Sequence, residues 1–152
     1  MILAANSTAA QNLSAEDLER VTIMQNAVKL RLPVTDLEVM FKYAFAMNKP
    51  ALTREGLGAL SELPDHPVMV TFTKNVAIKT PDCAIALKAI ATIGQMGNLS
   101  QIETRKQAAL SLNELSQALE TKSLACAKAQ PAQTEALNGA LLEALQKLQS
   151  QP

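Results

Sequence analysis

TPDCAIALKAIATIGQMGNLSQIETRKQAALSLNELSQAL, residues 80–119, decides the fold class. Thr80 can cap a helix, Pro81 has the fixed φ suited to a first helical position, and Asp82 sets negative charge on the positive end of the macrodipole. Apolar residues run through Ile85, Leu87, Ala89, Ile90 and Ile93 to Met96. Gly97 and Asn98 then supply the left-handed turn that ends a helix. Ser100 with Glu103 spells a capping box, after which Ile102, Ala109, Leu112, Leu115 and Leu119 recur at helical spacing. The stretch predicts two apolar-faced helices, a helical hairpin in which neither helix buries its stripe alone.

Composition agrees with an all-α chain. Of 152 residues, 48% are hydrophobic but only 3% aromatic and none is Trp, whereas sheets favour aromatic and β-branched residues. This is enough apolar material for a core without metal or staples. Fourteen basic residues balance fourteen acidic ones, so no global field draws nucleic acid or an anionic membrane. Arg105 and Lys106, the densest basic cluster, read as a solvated helix face. No apolar run approaches the roughly 18 residues of a membrane span.

Upstream, residues 1–12 read as a disordered polar tail. Met1 to Ala5 lack the basic start and apolar stretch of an intact signal peptide, so a cytoplasmic location is expected, with an exported or periplasmic one as the alternative if a leader has been removed. Ser14 with Glu16 and Asp17 starts a helix striped by Leu18, Val21, Met24, Val28 and Leu32 and ended by Pro33. Thr35 and Glu38 form another capping box, followed by Leu37, Met40, Phe41, Ala44 and Phe45 on one face. Asn48, Lys49 and Pro50 break the chain. Thr53 opens a short helix with Leu57, Leu60 and Leu63. Gly56 and Gly58 weaken it by about 1 kcal/mol each relative to alanine, which points to close packing rather than to a ligand.

Val68 to Lys79 carries two signals: Val68, Phe72 and Val76 fall four apart, while Val68, Val70 and Phe72 alternate as in a strand. Helix is preferred, because a lone hairpin would leave edges to satisfy. Downstream, Thr121 starts a short helix through Leu124 and Ala127. A last one from near Thr134 presents Leu137, Ala140, Leu141, Ala144, Leu145 and Leu148, and residues 150–152 fray. These readings give one all-helical domain over 13–149, with seven to eight short helices.

Helix starts at Thr35, His66, Ser100 and Thr134 are 31, 34 and 34 residues apart, the spacing of stacked helix pairs. Asp82 to Met96 followed by Arg105 to Leu119, rich in Ala and Leu, resembles armadillo or HEAT-type pairs. The spacing is closer to that of tetratricopeptide repeats, whose Trp, Gly, Tyr and Phe positions are absent here. The resemblance implies a solenoid-like stack of hairpins; an irregular helical bundle satisfies the same periodicity.

Chemistry is sparse. His66, the only histidine, sits between prolines in Pro64-Asp65-His66-Pro67 and reads as a turn or cap residue rather than a base. One histidine and two cysteines make no tetrahedral nitrogen and sulfur zinc set, and no phosphate loop or nucleophile elbow occurs, so no cofactor is expected. Cys83, at a helix start, would need a partner base to act as a nucleophile. With Cys126 it can form a disulfide, which would fasten an exported accessory or structural protein. Tyr43 and Met47 lie off the stripe of their helix and mark an apolar patch for a partner. The expectation is a non-enzymatic helical adaptor or scaffold that binds another protein through this patch or a groove between hairpins, with a small-ligand carrier or enzyme as the remote alternative.

Overall fold

The computed structural model describes residues 13–62, 66–96, 101–128 and 131–149. The tail and frayed end expected at 1–12 and 150–152, with Leu63, Gly97, Asn98 and Ser100, lie outside them. The described residues are helical and contain no strand, so the chain is all-α. Its helices are α1 (Ala15–Lys29), α2 (Val34–Phe45), α3 (Pro50–Leu60), α4 (Pro67–Lys79), α5 (Cys83–Met96), α6 (Ile102–Glu120) and α7 (Pro131–Gln149), with a 3₁₀ turn at Ala125–Lys128. They fall into two compact units, Met1–Leu63 and Pro64–Pro152.

In the first unit α1 packs chiefly on α3, and α2 touches both. Ser14 caps α1 as its sequence indicates, its hydroxyl accepting from the Asp17 N–H at 3.1 Å. The helix stops before Pro33 through a left-handed Arg31 (φ 56°): the Arg31 and Leu32 amides donate to the Val28 and Ala27 carbonyls, closing a Schellman motif without glycine. The buried face is Val21, Met24, Ala27 and Val28, joined by Asp17, while Leu18 and Leu32 are exposed. Asp17 is buried because two cations meet it there. Lys49, at the start of α3, approaches to 2.9 Å and Arg20 to 2.7 Å.

The capping box expected at Thr35 and Glu38 does not form. The N-cap lies two residues earlier, at Pro33, whose carbonyl accepts from the Asp36 and Leu37 amides instead. Leu37, Phe41 and Ala44 are buried on the expected face, with Met40 and Phe45 at its half-buried margin. Phe41 and Phe45 meet edge to face at 5.8 Å. Thr53 does not open α3; Pro50 does, at the first helical position, where its missing N–H costs nothing, and Thr53 is buried inside the helix.

In the second unit Val68 to Lys79 is helix, and His66 caps it, with Nδ1 accepting from the Val68 N–H at 3.3 Å. Its buried side is Met69, Val70, Thr73 and Ala77; Val68 is exposed. Asp82, not Thr80, caps α5: its carboxylate accepts from the Ala84 and Ile85 amides at 2.9 and 3.3 Å. Thr80 ends α4, its N–H donating to the Val76 carbonyl. Helix α5 is the centre of the unit, with Ile85, Ala86, Ala89, Ile90, Thr92, Ile93, Gly94 and Met96 buried around most of its circumference.

Helix α5 packs most extensively on α4 and α7, less on α6, so residues 80–119 are not the dominant pair. Helix α6 likewise packs mainly on α4 and α7. Its buried face is Thr104, Ala108, Ser111, Leu112, Leu115 and Leu119, and the Ile102 expected in the stripe is exposed. Lys74 of α4 and Glu114 of α6 tie this packing with a 2.6 Å ion pair. Thr121 ends α6 rather than starting a helix, because Lys122 turns left-handed (φ 58°) and the Ser123 amide reaches back to the Ala118 carbonyl. Only the 3₁₀ turn follows, and α7 begins at Pro131, three residues before Thr134.

Candidate functional site

Two places hold the residues singled out from sequence, one in each unit. The first is the outer side of α2. Tyr43 is 68% exposed, and Val39, one turn earlier on the same side, is 69% exposed. Met47 is half-buried just past the helix, in a turn where its N–H donates to the Ala44 carbonyl at 3.3 Å and Asn48 becomes left-handed (φ 56°). The patch drawn from Tyr43 and Met47 is therefore led by Val39 and Tyr43. Sequence reasoning passed over Val39, although its i, i+4 relation to Tyr43 was the available signal.

The first unit as a whole exposes more of its large apolar side chains than the second. Leu18, Ile23, Leu30, Leu32, Val39 and Tyr43 are six of the ten large exposed apolar side chains among the described residues, although this is the smaller unit. Single exposed leucines are ordinary, and a concentration of them on one unit is not.

The second place joins the start of α5 to the 3₁₀ turn before α7. Cys83, at the first position of α5, donates its thiol to the Cys126 carbonyl oxygen at 3.3 Å and lies 3.5 Å from Gln133 Oε1 of α7. Both cysteines are buried free thiols. Burial, reinforced by the neighbouring Cys83 thiol, pushes the Cys126 thiol up to about 12, so it holds its proton at neutral pH. The structure thus brings together two cysteines 43 positions apart.

The third cluster was not foreseen. Asp17 accepts from Lys49 and Arg20, and Glu16 also receives Arg20 at 2.6 Å. Lys49 foremost, with Arg20, holds the Asp17 carboxyl below the usual carboxylate range against the opposing effect of burial. Each charge is answered by another, which describes a clamp between α1 and α3 rather than a reactive centre.

Among the described residues no group of three histidine, cysteine or acidic side chains is placed to hold a metal ion, and none of the described helices is long and apolar enough to cross a membrane. No protein-family model matches the chain, and comparison with curated proteins and with solved structures finds no match.

Proposed function

We propose that the protein is a non-enzymatic interaction module whose first unit receives an apolar-faced helix of another protein on the outer side of α2. The observation that carries this reading is the exposure of Val39 and Tyr43 one turn apart. Tyrosine suits such a position: it gives a large, rigid contact at small entropic cost and keeps a polar tip for the rim. A partner helix would meet the pair with anchors at matching three- and four-residue spacing. The packing of α4 on α6 and of α5 on α7 supports the accompanying view of the second unit as stacked helix pairs.

A Val39→Ser, Tyr43→Ser variant tests the proposal, since both changes fall at exposed positions. Its helical circular dichroism and melting temperature should stay near those of the parent. Its affinity for the partner should drop by at least tenfold, about 1.4 kcal/mol. A benzophenone side chain at position 43 would identify the partner by cross-linking. Undiminished binding by a folded double variant removes this face from consideration.

A further inference from the structure

We propose that Cys83 and Cys126 are a reversible dithiol clasp, closing to an intramolecular disulfide that fastens α5 to the turn between α6 and α7. The proposal is independent of the partner-binding face on α2. It rests on geometry: the Cys83 sulfur lies 3.3 Å from Cys126's own carbonyl oxygen, and the Cys83 side chain acts directly on the Cys126 thiol, so the two thiols are neighbours, as closure to a disulfide requires. Both are buried free thiols of the same compact unit. Gln133 Oε1, 3.5 Å away, helps hold the Cys83 sulfur toward the turn.

The oxidant is a small-molecule disulfide such as glutathione disulfide. Cys83 is the more accessible residue, 9% exposed against 2% for Cys126, so its sulfur attacks first, breaking the oxidant's S–S bond, forming a mixed disulfide and expelling one small thiol. The Cys126 sulfur, on losing its proton, attacks the Cys83 sulfur and expels the second small thiol. The two protein thiols are oxidised by two electrons, and the oxidant leaves as two reduced thiols carrying the two protons. Reduction by the same couple reverses both steps.

The bond closes a loop of 43 positions, and folding that aligns the sulfurs must favour it over the unfolded chain. The test equilibrates the full-length protein with reduced and oxidised glutathione, in buffer and in concentrated urea. After acid quenching and alkylation, the closed form is counted by intact mass as the species about two daltons lighter with no alkylated thiol. The closure constant should be on the order of 100-fold larger in buffer than in urea, and the oxidised protein should melt on the order of 10 °C higher. A ratio of tenfold or more sustains the clasp. A smaller ratio, or oxidation that yields only glutathione adducts or disulfide-linked dimers, overturns it.

Discussion

Adding one methyl group to α3 at Gly58 and at Gly56, two residues apart, should stabilise the chain at the first position and not at the second. At Gly58 a Cβ would meet nothing within 4 Å. Gly58→Ala therefore collects the intrinsic helical preference of alanine alone, about 1 kcal/mol. At Gly56 the same Cβ would stand 2.6 Å from Phe45 Cε1 and 3.2 Å from Cζ, with Met24 Cε at 3.5 Å behind. The Phe45 ring must then move, and it is seated edge-on against Phe41. Displacing a packed ring costs about 1–3 kcal/mol, which cancels or exceeds the propensity gain. The two variants should differ by about 2 kcal/mol, with Gly56→Ala the less stable.

Urea titration followed by far-ultraviolet circular dichroism measures this, through midpoints at constant m-value. In a unit of this size 1 kcal/mol corresponds to roughly 4–8 °C, so thermal melts also resolve it. A double-mutant cycle locates the cause: in a Phe45→Leu background, where the ring is absent, Gly56→Ala should recover most of the difference, a coupling of about 1–2 kcal/mol. If Gly56→Ala stabilises the chain as much as Gly58→Ala does, α2 and α3 do not meet as described here.

Two further outcomes follow from local geometry. Arg31 and Lys122 occupy left-handed positions that close Schellman motifs, where a Cβ is a burden, so Arg31→Gly and Lys122→Gly should each raise stability by about 0.5–1 kcal/mol in chemical denaturation, against the usual loss on introducing glycine. Because Lys49 and Arg20 hold the Asp17 carboxyl below its ordinary range, its contribution to stability is present above the unfolded-state value near pH 4 and disappears as pH falls through the depressed folded-state value. Melting temperature against pH should show this acid loss in the parent and a smaller one in Lys49→Met. Equal acid sensitivity of the two would show that the clamp does not hold Asp17.

The all-α class was legible because period, composition and turn residues agree along nearly the whole chain, and Ser14, Phe41 and the apolar run of α5 stand where their pattern puts them. Helix starts were less legible. Sequence alone reads Pro50 as a break and opens helices at Thr53 and near Thr134, whereas the helices begin three residues earlier, at Pro50 and Pro131, because proline is at home in a first helical position. At Thr80-Pro81-Asp82 two capping side chains compete, and the carboxylate, which accepts from two amides, wins. The buried faces of α1, α4 and α6 admit Asp17, Thr73, Thr104 and Ser111, whereas Leu18, Val68 and Ile102 face outward. Apolar periodicity alone cannot find a buried carboxylate whose cation lies 32 positions away. The cysteine pair was visible as two residues, but their meeting is a tertiary event.

The contrast between the units is the reason for proposing the first as the one that receives a partner. Helix α5 is surrounded by α4, α6, α7 and the 3₁₀ turn, so the second unit buries its most apolar helix. It exposes Val68, Ile102, Leu110 and Leu142, fewer large apolar side chains than the first unit does among the described residues, and its remaining chemistry, the thiol pair, is turned inward. The first unit has only three helices among the described residues, one of them holding two glycines, and it spends a buried carboxylate and two cations on joining α1 to α3. It keeps Val39 and Tyr43 in water, where burial of each would contribute about 1.5–3 kcal/mol. A surface that leaves this stabilisation unused is one on which a partner can gain it, so partner binding and the thiol clasp should respond to separate substitutions.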